Sequence, residues 1–384
     1  MKHRYMERSF YDRAKKIERS FKKSIRTGQH SFKTGLGRTI TILGITPSDI
    51  IFRVDSTDSI HKLNRLKFKQ ALAFVIFHRN VSRKDLERFH SFNSHLMALL
   101  NAALSKNMSR ILKLANRTLR LVIKGVRYYF SGMEFSEKDR LLVQSQGGKF
   151  ILMSNYYLRG LSHDKLLETL RHCRDIGLHV IIDSGSFSVM RQRQANKSNP
   201  DKKKNDICLK QYCELLISIK DYIMGYFNLD EDSDNEKSKR NLEYLRDNIG
   251  FPPYPVWHEG FGWDELDKLV NSCEHQLIGI GGTVFMHSTP AKRKLFQEIF
   301  SKYGDQQGFH WLGGSNVLLN EFPFISTDST GFNIGRRFRR LVPLNSPQIA
   351  APSEMDSIDC IKYNIRQLVK LEENHLDHQY ELPL

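Results

Sequence analysis

Four side chains able to exchange protons follow short apolar stretches in the C-terminal two thirds of the chain. Asp183 ends HVIID, Asp230 ends YFNLD, His258 ends YPVWH and Asp328 ends FISTD. Carboxylates that converge on one place repel each other and raise one another's pKa unless they share a proton or a ligand. Such a cluster suits acid–base catalysis, or a divalent ion in a nuclease. Each residue also has a local interpretation, because Asp favours turns and helix N-caps.

The elements that must position these residues are predicted to be alternating strands and helices. Seven apolar runs are separated by amphipathic stretches of helical length, and they span residues 150–157, 178–183, 222–230, 254–259, 277–282, 308–314 and 324–328. Strands that alternate with helices pair in parallel through crossovers, which gives either a barrel or a doubly wound sheet.

We predict a TIM-like (β/α)8 barrel over residues 146–345, because the carboxyl ends of all strands in such a barrel open on one face, where active sites are built. Its eighth strand must come from the start of the chain or from the tail, residues 346–384. The polar, basic insert RQRQANKSNPDKKKND at residues 191–206 is expected to be a mobile loop at the mouth that holds Asp183.

Positive charge is concentrated in the N-terminal third. Residues 1–134 hold 28 Lys and Arg against 9 Asp and Glu, whereas the whole chain carries a formal net charge of +17. This third is predicted to be mainly helical, with a short β-hairpin in RTITILGITPSDIIFRV. Clustered Lys and Arg neutralise phosphates, so we predict that residues 1–134 form a basic DNA-binding domain.

Two basic stretches carry the candidate DNA contacts of this domain. A helix predicted over ERSFYDRAKKIERSFKKSIRTG includes Lys22 and Lys23, with Gly28 as its stop signal. A further helix is predicted over SRILKLANRTLRLVIKGVRYYF, where cations recur every three or four residues, among them Arg117, Arg120 and Lys124. The alternative is a solvated basic face without a partner.

The composition is that of a soluble globular protein with room for two or three domains. The 384 residues are 40% hydrophobic and 26% charged. No apolar run approaches the roughly 18 residues of a spanning helix, and no apolar segment follows the basic start, so we expect a cytoplasmic protein that does not bind membranes. Five cysteines without a CxxC pair fit a reducing compartment.

The C-terminal part resembles the tRNA-guanine transglycosylase superfamily. The motifs IIDSGSF, FNLDED, PVWHEG, LIGIGGTV and FHWLGGSNVLL…FISTDSTGFNIGRR occur in the order of the superfamily's landmarks, over residues 150 to about 340. The likeness is closer to its DNA-acting branch, which includes transglycosylases that place 7-deazaguanines in DNA and anti-phage DNA glycosylases. The resemblance implies a barrel that breaks an N-glycosidic bond of a nucleotide turned out of the duplex.

The resemblance also implies roles for individual residues. Asp183 corresponds to the acid/base residue near the target base, and Asp328 to the nucleophile that attacks the sugar C1′. Asp230 matches the carboxylate that reads the base edge, and His258 falls near a base-contacting Gln of the tRNA enzymes. The remaining base-binding positions are Phe187, Ser188, Gly281 and Gly282, and Arg336 and Arg337 lie where the family holds substrate phosphates.

Two departures from the tRNA enzymes bear on the substrate. Their CxCxxC…H zinc site is lacking, since only Cys360 follows Asp328, with His375 and His378 in ENHLDH, a set that is either a metal site or part of a solvated tail. Ser188 stands where the tRNA enzymes have a Gln that contacts the base. This replacement suggests a base other than guanine or its deaza relatives.

One main hypothesis and three alternatives follow. The main hypothesis is a DNA glycosylase that excises a modified base, such as a glucosylated hydroxymethylcytosine of phage DNA, and leaves an abasic site, in anti-phage defence. It requires DNA as partner and no metal or cofactor. The alternatives are a DNA transglycosylase that exchanges a base for a 7-deazaguanine, a non-catalytic DNA-binding protein with a degenerate barrel, and a metal-dependent nuclease that uses the three acids.

Overall fold

The protein divides into two compact units. The structure is a computed structural model that describes residues 8–28, 30–35, 37–195, 206–231, 234–286 and 288–373. The N-terminal unit covers residues 1–125 together with 303–307, and the C-terminal unit covers residues 126–302 and 308–384. The predicted boundary at residue 134 is therefore displaced, because the strand that begins at Arg127 belongs to the larger unit.

In the residues that the structure describes, the N-terminal unit combines four helices with two antiparallel sheets. Its elements are α1 (Arg8–Arg26), β1 (Ser31–Lys33), β2 (Thr39–Ile45), β3 (Asp49–Val54), β4 (Ser59–Asn64), α2 (Arg65–His78), β5 (Asn80–Ser82), α3 (Arg83–Leu86), α4 (Asn93–Met108), β6 (Ser109–Lys113) and β7 (Leu119–Ile123). Strands β1 to β4 pair in chain order, and β7 lies between β5 and β6. The predicted hairpin is confirmed as β2 and β3, and helices contribute more residues than strands to the described part of this unit, but the two complete sheets were not predicted.

The segment at residues 109–130, predicted as one helix, forms strands. β6 and β7 are antiparallel neighbours, and the turn between them places Arg117 at a positive φ of 62°. The cations do recur at helical spacing, but the Leu, Ile and Val residues between them favour strands, and Asn116 favours the turn. Because β7 is covered on both faces, Arg120 and Lys124 are buried, so these two predicted DNA contacts are wrong. Arg117 is exposed.

The C-terminal unit is a mixed α/β structure. Its elements are β8 (Arg127–Ser131), α5 (Glu137–Ser145), β9 (Phe150–Ser154), α6 (Asn155–Leu158), α7 (His163–Asp175), β10 (His179–Asp183), α8 (Ser186–Ala195), α9 (Leu209–Ile219), β11 (Ile223–Tyr226), α10 (Asn235–Ile249), β12 (Val256–Trp257), α11 (Trp263–Asn271), β13 (Ile278–Ile280), α12 (Thr289–Tyr303), β14 (Phe309–Trp311), α13 (Leu318–Glu321), β15 (Ser326–Ser329), α14 (Ile334–Phe338), β16 (Arg340–Leu341), β17 (Ile349–Ala350) and α15 (Ser357–Lys370). β16 and β17 form a separate antiparallel pair.

Eight parallel strands of this unit form one curled sheet in the order β11-β10-β9-β8-β15-β14-β13-β12. Its two edges meet just beyond β11 and before β12, where Tyr254 N donates to Tyr226 O over 2.8 Å and Asn228 N donates to Tyr254 O over 2.9 Å. This arrangement is compatible with a TIM-like (β/α)8 barrel. All seven predicted runs contain a strand, and the eighth strand is β8, which comes from the start of the unit.

The predicted tail, residues 346–384, contains the packed helix α15. Asp356 caps its N-terminus by accepting a hydrogen bond from Asp359 N over 2.7 Å, and the helix buries Cys360 and Leu368 among other residues. His375 and His378 lie outside the described residues, as do residues 196–205 of the predicted loop, whereas residues 191–195 continue α8. Among the helices that the structure describes, none is long and apolar enough to cross a membrane.

Candidate active site

A cavity of about 820 Å³ lies at the carboxyl ends of the strands of the curled sheet. Parallel strands deliver their C-terminal residues to one face, and this explains why residues far apart in the sequence meet there. The eight positions predicted as catalytic or base-binding all line the cavity, namely Asp183, Phe187, Ser188, Asp230, His258, Gly281, Gly282 and Asp328. The structure therefore brings these eight positions together around one cavity, while the roles of the residues stay predictions.

A tight turn after β10 directs Asp183 into the cavity. Gly185 adopts a φ of +91°, and a Cβ there would lie 2.8 Å from the backbone nitrogen of Tyr156, so this position requires glycine. Gly185 N donates to Asp183 Oδ2 over 2.9 Å, which fixes the carboxylate before α8 begins at Ser186. The Asp-Ser-Gly sequence is thus both a turn and the means of presenting an acid.

Asp183 has a pKa suited to proton transfer near neutrality. Burial raises the pKa of Asp183 from 3.8 to about 7, and the neighbouring Asp230 and Asp328 contribute to this rise. The backbone N–H of Gly185 and the hydroxyl of Ser154, 3.3 Å from Oδ2, oppose this shift by stabilising the charged form. Near pH 7 the carboxyl group is present in both protonation states, so it can both donate and accept a proton.

Asp328 lies in a contrasting setting, surrounded by hydrogen-bond donors. Ser131 Oγ donates to Oδ2 over 2.8 Å, and Gly313 N donates to Oδ1 over 3.2 Å. His310 Nε2 lies 3.2 Å from Oδ1, and its Nδ1 lies 2.8 Å from Ser326 Oγ. If the Ser326 hydroxyl donates to Nδ1, Nε2 carries the proton and becomes a third donor to Asp328. An ionised carboxylate accepts only, so this set of donors matches a charged Asp328.

Asp230 and His258 form a buried pair in the same cavity. Asp230 Oδ2 lies 2.6 Å from His258 Nε2, and Ser186 Oγ donates to Asp230 O over 2.8 Å. A Cβ at Gly281 would lie 2.6 Å from His258 Cε1, so glycine there makes room for the imidazole. The predicted contact of Gly281 with a base stays a prediction.

Several further residues of the site are not evident from the sequence pattern. Ser131 ends β8, which was predicted as part of a helix, and Ser154 ends β9, whose predicted run extended past it to residue 157. A correct strand boundary in each case would have identified both by the rule that polar residues end most of these strands. Glu134 lines the cavity, accepts a hydrogen bond from Ser154 N over 2.7 Å and has a pKa raised by burial. His310 lies within an apolar run, where no sequence signal marks it.

The predicted DNA contacts outside the cavity are placed as follows. Arg336 pairs with Asp139, with Nη1 3.1 Å from Oδ2, which occupies its guanidinium within the unit, and Arg337 is exposed on the same short helix α14. On α1, Lys23 is exposed and Lys22 is half-buried. None of these four side chains lines the cavity at the barrel mouth.

The sequence matches no family model and no curated protein. The likeness to the tRNA-guanine transglycosylase superfamily therefore stays a prediction that rests on the motifs and their order. Across the part of the chain that the structure describes, no three His, Cys, Asp or Glu side chains are grouped so that they could hold a metal ion.

Proposed function

We propose that the protein is a DNA glycosylase that removes a modified nucleobase, as a member of the DNA-acting branch of the tRNA-guanine transglycosylase superfamily. The observation that carries the proposal is the contrast between two carboxylates in one cavity. Asp328 is surrounded by donors, whereas the pKa of Asp183 is raised to about 7. This pairing of an ionised with a protonatable carboxyl group is what glycosidic bond cleavage requires.

In the first step the bond between C1′ and the base nitrogen breaks, and its electron pair leaves with the base. The Asp328 carboxylate bonds to C1′ as positive charge develops there, and Asp183 transfers its proton to the departing base. In the second step water attacks C1′, the bond to Asp328 breaks, and the Asp183 carboxylate takes the proton of the water. The products are the free base and an abasic site, and both carboxyl groups return to their initial states.

The pair of Asp230 and His258 is placed to orient the base. Both side chains line the cavity and are held together by a hydrogen bond of 2.6 Å. A buried carboxylate accepts hydrogen bonds from N–H groups of a base edge, and a base that lacks those groups would leave it unpaired, which costs binding energy. We assign base recognition to this pair.

A base larger than an ordinary one suits the space. The cavity of about 820 Å³ adjoins a second cavity of about 230 Å³, and the two share Met190, His258, Gly281 and Gly282. The second cavity is also lined by Phe285, Met286 and Leu295. This space would accept a bulky substituent on the base, such as the glucosylated hydroxymethyl group of a phage cytosine. Excision of such a base would serve defence against phages.

DNA as the substrate is supported by the charge of the N-terminal third. Helix α1 buries Phe10, Phe21 and Ile25 and carries exposed cations on its other side, among them Lys16, Arg19 and Lys23. A row of cations on one helical face neutralises phosphates without reading sequence. The exposed Arg117 and Arg337 are further candidates for phosphate contacts.

The test is mass spectrometry of bases released from a panel of unmodified and phage-modified DNAs, with a chelator present and no free base added. Release of one modified base, with aldehyde-reactive abasic sites left behind, would support the proposal. Uptake of a labelled 7-deazaguanine without release in its absence would instead show base exchange. Strand cleavage that needs a divalent ion and releases no base would show a nuclease.

A further inference from the structure

Exposed aromatic rings are gathered at the rim of the main cavity. Phe135 and Tyr157 line the cavity and are 65% and 43% exposed, with ring centroids 6.1 Å apart in an edge-to-face arrangement. Tyr156 lies beside Tyr157, with centroids 5.1 Å apart. Single exposed apolar residues are common, but a group of them around a cavity marks a binding surface.

A second group of apolar side chains lies across the mouth. Phe187 and Val284 line the main cavity, and Phe187 contacts Phe285 with centroids 5.6 Å apart. Tyr156 and Tyr157 follow β9, whereas Val284 and Phe285 follow β13, four positions away in the eight-stranded order. Strands four positions apart in a ring of eight lie opposite each other, so Val284 and Phe285 lie opposite Tyr156 and Tyr157. Phe187 follows β10, the neighbour of β9, and its contact with Phe285 joins it to this second group.

Cations accompany the rings in both groups. The guanidinium of Arg191 lies 5.8 Å from the ring centroid of Phe187, and that of Arg159 lies 4.7 Å from the ring centroid of Tyr156. Alternating aromatic rings and guanidinium groups are the surface that single-stranded nucleic acid binds, because bases stack on the rings while phosphates meet the cations.

We propose that this rim binds the bases on either side of the extruded nucleotide by stacking, so that the strand that enters the site is unpaired over at least three nucleotides. The proposal rests on the proposed function for the identity of the central nucleotide. It adds that single-stranded or locally melted DNA is the preferred form, and it assigns Phe135 and Tyr157 to one flanking base.

The test uses Asp328→Asn protein, which should bind without turnover, and oligodeoxynucleotides with 2-aminopurine next to the target nucleotide. We expect quenching of this fluorescent base on binding to a single strand. Phe135→Ala should weaken single-strand binding about tenfold, or about 1.4 kcal/mol, while Phe135→Trp should preserve it. The matched control is Tyr244→Ala on α10, a 38% exposed aromatic residue outside the cavity, which should leave the affinity unchanged. Because Phe135 is largely exposed, all variants should keep the melting temperature of the parent protein.

Unchanged single-strand affinity of Phe135→Ala, or equal losses on fully paired duplex, would overturn the inference. A change in oligomeric mass at constant DNA affinity would also overturn it, by showing that the rim contacts a second copy. The two proposals fail separately. Quenching by stacking without any base release would support the stacking rim and contradict the glycosylase. Base release from duplex DNA by Phe135→Ala at the parent rate would support the glycosylase and contradict the stacking rim.

Discussion

Asp183 is the residue whose protonation should govern activity. The first step needs its acid form, and its pKa of about 7 means that this form is lost above neutrality. We expect kcat/KM for base release to fall about tenfold per pH unit above pH ~7, since kcat/KM reports the ionisation of the free enzyme. Asp183→Asn should lower the rate of base release about 10²- to 10⁴-fold and abolish the fall of kcat/KM above neutrality. Rates of base release measured from pH 5 to 9 test both the pH dependence and the effect of the substitution. If kcat/KM of the variant still fell above neutrality, the ionisation would belong to another group.

The raised pKa of Asp183 should also lower the stability of the folded protein when this carboxyl group is ionised. Its pKa is about 3.8 when unfolded and about 7 when folded, so between these values the folded state binds more protons, and stability falls as pH rises. Asp183→Asn removes this penalty. We expect its melting temperature to exceed that of the parent protein at pH 8 and the difference to shrink towards pH 5, with about 2–4 °C for each kcal/mol. Calorimetry at the two pH values decides, and a difference that grows towards pH 5 would contradict the assigned pKa.

Sequence pattern locates the site's acids but not their partners. Asp183, Asp230 and Asp328 each follow an apolar run, and this position makes them recognisable in the sequence alone. His310 lies in the middle of β14 and is fully buried, so in sequence it is indistinguishable from a core histidine. Its contact with Asp328 depends on the register between β14 and β15, which pairs His310 with Ser326. Register of this kind follows from tertiary packing and not from local sequence.

The turn between β10 and α8 offers a test of how an element holds the site. Gly185→Ala would place a Cβ 2.8 Å from Tyr156 N at a φ of +91°, whereas Gly250→Ala meets nothing within 4 Å at a similar φ of +88°. Both should lose about 1 kcal/mol from backbone strain. Gly185→Ala should lose clearly more folding stability than Gly250→Ala. It alone should also lose base release, because the turn at Gly185 orients Asp183. Denaturant unfolding and activity together check this, and equal losses in both variants would contradict it.

Helix α1 should contribute charge to binding and nothing to chemistry. Replacing Lys16, Arg19 and Lys23 by Gln should reduce the slope of log affinity against log salt by about 2, since each lost phosphate contact removes about 0.7 on a single strand and about 0.9 on duplex DNA. The matched control replaces three exposed cations of the other unit, Lys220, Arg246 and Lys294. Binding titrations at several salt concentrations measure the slopes. Equal changes of slope in the two triple variants would contradict a contact between α1 and DNA.

The elements that sequence predicts well are those with one dominant period. The seven later strands of the sheet are short apolar runs between amphipathic helices, and each lies within a predicted run except β15, which extends one residue beyond it. The segment at residues 109–130 carries two conflicting signals, cations at helical spacing and β-branched residues typical of strands. Tertiary context resolves the conflict, because β7 pairs with β5 and β6 in one sheet and β8 pairs between β9 and β15 in the curled parallel sheet. Local sequence does not specify either set of partner strands.

At the scale of the whole molecule, the excess of cations and the candidate catalytic side chains lie in different parts of the chain. The cations in excess lie in the N-terminal third, and the carboxylates and the imidazole that line the cavity lie in the C-terminal unit. A protein that must hold a polyanion and still keep three carboxylates together benefits from this division, because cations next to Asp183 would lower its pKa. The central claim therefore concerns the C-terminal unit, and in particular its two carboxylates.

The most direct measurement is the amount of base released from one susceptible DNA by the parent protein, Asp328→Asn and Asp183→Asn. The control is Asp264→Asn on α11, an exposed carboxylate that does not line the cavity. We predict release with abasic sites by the parent and the control, a loss of about 10³-fold or more in Asp328→Asn, and a loss of about 10²- to 10⁴-fold in Asp183→Asn. Release by both site variants at the parent rate would contradict catalysis by these carboxylates.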